Sequence, residues 1–287
     1  MKTAIMTDTN SGISVEEGRS LGIYVIPMPV IIDDHDYLEH VSITHEETYA
    51  AIIAGKDVRT SQPAPDTIIN MWKHLLDEEG YDSVVYIPMS SGLSNSCETA
   101  IAFSRDFDGK VQVADNHRIS VTLRQSVLEA KDLADQGKDA EEIRRYLEEQ
   151  GPKSSIYIAV NTLDLLKKSG RATPAAAAVA AVFNIKPILT IQGGKLDAFA
   201  KVRGMKRCET RICSAVQSDI ETRFADIDPS RLYIGAAGTF QHQEDADQWL
   251  AAVRESFPGC HTWYDPLSCS IACHVSVDAI GIGICYR

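Results

Sequence analysis

No stretch of this chain is apolar for long enough to cross a membrane. The most hydrophobic run, Ala175 to Phe183, is nine residues of mostly alanine, where a bilayer demands about 20. It predicts a tightly packed core helix opened by Pro174. The opening Met1-Lys2-Thr3-Ala4-Ile5-Met6-Thr7-Asp8 turns polar too soon for a signal-peptide core. Basic residues are in deficit: Lys plus Arg number 28 against 40 Asp plus Glu, a formal charge of −12. Non-specific binding to nucleic acid or to anionic membranes is thereby disfavoured. Seven cysteines contain no Cys-x-x-Cys pair, which predicts reduced thiols in a cytoplasmic protein. Cys269, Cys273 and His274 are too poor a set to predict a metal site, so no metal and no cofactor is expected. There is no Walker loop, no Gly-x-Gly-x-x-Gly fingerprint and no Gly-x-Ser-x-Gly elbow, and nucleotide binding has no support.

What is present is an ordinary globular composition, with 44% hydrophobic and 24% charged residues. At roughly 150 residues per domain, 287 residues predict two. Short β-rich runs alternate with helical patterns in the first half. Thr3 to Thr7 and Val84 to Ile87 read as strands, Val111 to Ala114 as a third. Ile23 to Ile32 reads as one strand, edge or bulged because of Pro27 and Pro29. Ser14-Val15-Glu16-Glu17, Thr44-His45-Glu46-Glu47 and Asp139 with Glu142 are capping boxes. Helices are expected from Pro65 to about Glu79 and from Ser94 to Ser104. This alternation predicts a mostly parallel sheet flanked by helices. The second half has strands at Ile156 to Val160, Leu232 to Ala236, His261 to Tyr264 and Ala279 to Cys285. Ile185 to Ile191 and Leu196 to Val202 form a hairpin about Gly193-Gly194. The expected fold class is α/β, two α/β domains, the second with a mixed sheet. Gly151-Pro152 divides them into residues 1–152 and 153–287.

Polar residues cluster where βα units turn. Arg59-Thr60-Ser61-Gln62-Pro63 precedes one helix, and Ser90-Ser91-Gly92-Leu93-Ser94-Asn95-Ser96 follows a strand. Ligands of open α/β sheets bind outside the carboxyl ends of strands, and hydroxyls entering a helix suit an anion. Each segment read alone is also an ordinary cap or turn, and Asp8 at the end of the first strand reads as a loop cap. Ser94 with His274 leaves a hydrolase open, and a short polar site for another small anion is the second alternative.

Taken together these motifs resemble the DegV family of bacterial fatty-acid-binding proteins. Thr60-Ser61-Gln62-Pro63 matches its Thr-Ser-Gln-Pro motif, and Ser90 to Ser96 its Ser-Ser-x-Leu-Ser-Gly-Thr motif. Asp8 to Ile13, Leu163 to Arg171, Ile185 to Ile188, Lys201 to Arg203 and His274 before Ala279-Ile280-Gly281 follow in order. The resemblance implies a long-chain fatty acid such as palmitate buried between two domains. It implies that Thr60 and Ser94 hold the carboxylate, with Ser91, His274 and Arg203 also ligand-binding and Arg171 near the head group. It further implies a carrier, not an enzyme, that presents its ligand to a separate fatty acid kinase; a monomer is expected. The chain departs from the family at Asn95-Ser96, where Gly-Thr is usual, and at Ser169. It departs again at Val275-Ser276-Val277-Asp278, which replaces two glycines and implies a changed loop after His274.

Overall fold

The computed structural model describes residues 2–177, 184–192 and 194–287. Its first sheet is formed by β1 (Thr3–Asp8), β2 (Tyr24–Ile26), β6 (Ser83–Ile87) and β7 (Val111–Val113), all parallel, in the order β2-β1-β6-β7. Every residue of β1 and β6 is buried, as strands covered on both faces must be. Successive side chains point to opposite faces. Ala4, Met6, Val84 and Tyr86 pack with Trp72 and Leu75, while Ile5, Val85 and Ile87 pack with Leu123, Ile143 and Leu147. The helices Pro65–Lys73 and Ser96–Ser104 cover one face, and Ser120–Asp135 and Ala140–Gln150 the other.

A six-stranded mixed sheet follows, formed by β8 (Ser154–Ala159), β9 (Ile185–Ile191), β10 (Asp197–Arg203), β11 (Leu232–Gly238), β12 (His261–Pro266) and β13 (Ile280–Tyr286). The order is β10-β9-β8-β13-β11-β12, antiparallel except for β11 with β12. The helices Met205–Thr222 and Gln243–Ser256 pack on one face through Ile280, Ile282 and Ile284. The alternate residues Gly281 and Gly283 face the other way. A Cβ on Gly283 would stand 2.5 Å from Val121, so glycine is what lets the helix Ser120–Asp135 lie against this sheet. The inner face carries a second apolar cluster in which Leu93, Ile119 and Val121 meet Ile158, Leu189 and Ala237.

One feature departs from the sequence expectation. Ile23 to Ile32 is not one strand: Pro27 falls between β2, an edge of the parallel sheet, and β3 (Pro29–Ile32). With β4 (His35–Leu38) and β5 (Val58–Thr60), β3 makes a separate antiparallel sheet, in which Pro29 takes the first position of the central strand. The segment Cys269–Val275 is a helix capped by the Ser268 hydroxyl, which accepts from the Ile271 amide. The capping boxes at Thr44 and Asp139 form in full, and at Ser14 the hydroxyl accepts from the Glu17 amide. The hairpin of β9 and β10 forms, with a register shift between Ala198 and Ala200; Gly193 lies outside the described residues. Of the alanine-rich helix only Pro174–Ala177 lies within them.

The turn after His274 keeps a glycine-like backbone without glycine. Ser276 has φ 67°, ψ −174° and Asp278 has φ 57°. The Ser276 conformation is one that side chains disfavour by about 1–3 kcal/mol. Ser276→Gly is therefore expected to raise unfolding free energy by about 1 kcal/mol after the extra entropy of glycine is charged against it. Chemical denaturation measures it, and an unchanged or lowered midpoint would contradict the strain.

Candidate functional site

The loops that leave β1, β5 and β6 converge with the helix Cys269–Val275 on one cavity. Asp8, at the end of β1, organises two of these loops. Its buried carboxylate accepts from the Asn10 amide at 2.9 Å and the Met89 amide at 3.0 Å. Burial nonetheless pushes its carboxyl up to about 6. Gly92 is needed where the β6 loop meets the hairpin: a Cβ there would sit 2.1 Å from the Gly194 carbonyl oxygen.

Thr60, Ser94 and His274 all line this cavity, as does Arg171. Thr60 Oγ1 and His274 Nε2 are 2.9 Å apart. His274 Nδ1 is buried and has no hydrogen-bond partner among the described residues. Burial, with the positive charge of Arg171 adding to it, pushes the His274 ring down to about 4. The ring is thus neutral at pH 7. If it donates at Nε2, the Thr60 proton is free for an anion. Ser94 Oγ accepts from the Ser96 amide at 3.2 Å and lies 3.1 Å from Ser96 Oγ. Arg171 donates to the Ser169 carbonyl at 3.2 Å and faces no carboxylate among the described residues.

Two residues expected at the site are elsewhere. Ser91 lies on the far side of its loop, its amide 3.3 Å from Asp115 Oδ1 and its hydroxyl 3.4 Å from His117 Nδ1, in a separate open cleft. The turn Ser90 to Ser94 points alternate hydroxyls apart, so only Ser94 reaches the cavity. Arg203 ends β10 opposite Ile185, exposed to solvent. Conversely, Asn10 and Ser270 line the cavity without having been singled out. Asn10 Oδ1 accepts from Ser268 Oγ at 2.9 Å and Ser270 Oγ at 2.5 Å, pinning the helix Cys269–Val275 to the β1 loop. The polar run after β1 was the available signal, since it too follows the carboxyl end of a parallel strand.

Beyond this polar end the space turns apolar. An adjoining apolar cavity shares Leu93, Ile119, Leu196, Ile271 and Val275 with the first and ends on Gly281 and Gly283. Charge can therefore be held at one end and hydrocarbon at the other.

The comparisons agree with this shape. A family model described as "Uncharacterised protein, DegV family" matches residues 2–287. A DegV domain-containing protein of Deinococcus radiodurans is 27% identical over 289 residues, spanning 99% of this chain and 98% of its own. A solved DegV family protein from Thermus thermophilus, described by its fatty acid binding, superposes with a TM-score of 0.87 at 25% identity, over 100% of both chains. A fatty acid binding DegV family protein from Streptococcus agalactiae gives 0.85 at 25% identity, over 100% of this chain and 99% of the other.

The neutral state of His274 has a sign that can be checked. An unfolded histidine protonates near 6.5 and this one, folded, near 4. Between those values the unfolded chain binds the extra proton, so this ring withdraws stability as pH falls from 6.5 to 4. Asp8 and Asp265, pushed by burial from 3.8 to about 6, act oppositely as pH falls through the same region. The contribution is isolated by subtracting the pH–stability curve of His274→Gln from that of the wild type. The expected difference shrinks on acidification. NMR of the ring should show it neutral at pH 5.5, and a midpoint above 6 would contradict the burial argument.

Proposed function

The chain belongs to the DegV family, and from that premise we propose that it binds a long-chain fatty acid. The single observation that carries this reading is that the two cavities share a wall: hydroxyls, a neutral histidine and an arginine facing no carboxylate among the described residues at one end, and a glycine-floored apolar recess at the other. The carboxylate lies among Thr60, Ser94 and Arg171, its oxygens accepting charge-assisted hydrogen bonds. His274 orients the Thr60 hydroxyl. The acyl chain runs toward Gly281 and supplies most of the affinity. At about 0.8 kcal/mol per methylene, a chain of roughly 14 offers about 11 kcal/mol before the costs of association.

The protein acts as a carrier that presents the bound carboxylate to a separate fatty acid kinase. Arg171 supports this, because it borders both the head-group cavity and a second opening lined by Arg59, Lys168 and Ser169 through which a phosphoryl donor can approach. Hydrolysis is less well supported. A serine or threonine nucleophile needs a base poised near neutral pH and held by a third group. His274 is pushed well below that range, and its Nδ1 has no partner.

Purified protein, denatured and extracted, is expected to release fatty acid at close to one equivalent by mass spectrometry. Thr60→Ala with Ser94→Ala removes two hydrogen bonds to a charged group, at about 1.5–3 kcal/mol each, and should weaken binding by more than tenfold. Undiminished binding in the double variant would overturn the head-group assignment. Stabilisation by phosphate without uptake of palmitate would favour a small-anion site instead.

A further inference from the structure

Some 222 residues apart in sequence, His45 and Leu267 meet at a second cluster that the fatty-acid reading leaves unused. Its centre is Glu39, which is 0% exposed. Glu39 Oε1 accepts from the Cys269 amide at 2.6 Å and Oε2 from Thr9 Oγ1 at 2.7 Å. Two imidazoles aim at the same Oε1: His40 Nε2 at 3.7 Å and His45 Nε2 at 3.9 Å. Neither is a hydrogen bond. A carboxylate oxygen of Glu39, a ring nitrogen of His45 and the Sγ of Cys269 all lie within 4.8 Å of one another.

Those separations are near what a shared metal imposes. Ligands at about 2.0–2.3 Å from a tetrahedral zinc stand about 3.3–3.8 Å apart, so closure of these three asks for a contraction of at most about 1.5 Å. We propose that Glu39, His45 and Cys269 form a zinc-binding site, completed by His40, whose Nε2 lies 3.7 Å from Glu39 Oε1 but outside that close group and swings in as the fourth ligand. The donor set of one oxygen, two imidazoles and one sulfur suits Zn²⁺ and is wrong for the hard cations Mg²⁺ and Ca²⁺, which take oxygen. Charge balances as well. Cys269 binds as the thiolate after releasing its proton to solvent, and with the Glu39 carboxylate it cancels the charge of the ion in a buried place. His45 exchanges its 3.1 Å bond to the Leu267 carbonyl for the metal. An open cleft bordered by His45, Tyr49 and Phe240 lets a hydrated ion approach.

His40 holds a left-handed backbone, φ 61°, which side chains disfavour. Zinc binding gives that histidine a role. Sequence inspection grouped Cys269 with Cys273 and His274 instead. Cys273 packs with Cys269 beside Val30 and Ile32 but is not among the donors that meet at Glu39, and His274 turns to the first cavity. The ion would clamp the β4 end and the helix His45–Ile53 onto the helix Cys269–Val275, which carries His274. The proposal does not depend on fatty acid binding.

Chelator-treated full-length protein is titrated with Zn²⁺, dialysed and analysed for metal, with melting followed in parallel. One equivalent is expected, with a raised melting temperature. His45→Ala and Cys269→Ser should each weaken binding at least tenfold, while Cys213→Ser, at a half-buried thiol elsewhere, should not. His40→Gly should weaken zinc binding yet raise the melting temperature of the metal-free protein, which keeps the test informative if the buried variants fold poorly. Co²⁺ in place of zinc should show a thiolate charge-transfer band that Cys269→Ser abolishes. No retained zinc, or zinc retained equally by His45→Ala and Cys269→Ser, overturns the site.

Discussion

The hydrogen bond between Thr60 Oγ1 and His274 Nε2 joins residues 214 positions apart and closes the polar end of the cavity. It depends on where the helix Cys269–Val275 sits, and that position is set by polar contacts more than by its own seven residues. Ser268 and Ser270 bond to Asn10, Glu39 bonds to the Cys269 amide, and Cys269 and Cys273 pack as small apolar groups against the three-stranded sheet. A helix this short has little stability alone. Its orientation therefore reports the state of the β1 loop and of Glu39, and through them the geometry offered to a ligand.

The apolar recess follows from a different constraint. In β13 isoleucine and glycine alternate, so that the isoleucines bury one face of the sheet against helices and the glycines leave room on the other. Gly283 uses that room to admit the helix Ser120–Asp135, and with Gly281 it ends the cavity. The same strand pattern thus supports the core on one side and the ligand space on the other. Under the proposed fatty-acid reading, affinity comes mostly from that space, while the hydroxyls and Arg171 select the head group.

Much of this was legible from local chemistry. Capping residues at Ser14, Thr44 and Asp139 act within four residues of themselves, and the parallel sheet announces itself through strands apolar on both faces. Thr60 and Ser94 were singled out in hydroxyl-rich segments, one before a helix and one after a strand, and both line the cavity. Less legible was anything decided at long range. The split of Ile23 to Ile32 between two sheets depends on which partner each half meets, and Pro27 marks it only as an interruption. Ser91 and Arg203 were carried by motif, yet the turn after β6 sends adjacent hydroxyls to different clefts and β10 leaves Arg203 in solvent. Glu39 gave no signal at all in sequence. Its burial is made by Thr9 and Cys269, which lie 30 positions before it and 230 after it.

The most direct test of the account is NMR of the protein loaded with palmitate labelled with carbon-13 at its carboxyl, compared with palmitate labelled at its terminal methyl. The account expects one slowly exchanging carboxylate resonance that moves in Thr60→Ala, while the methyl resonance, held near Gly281 and Gly283, stays in place. A carboxylate signal indifferent to Thr60→Ala, or one averaged with free fatty acid, would contradict it.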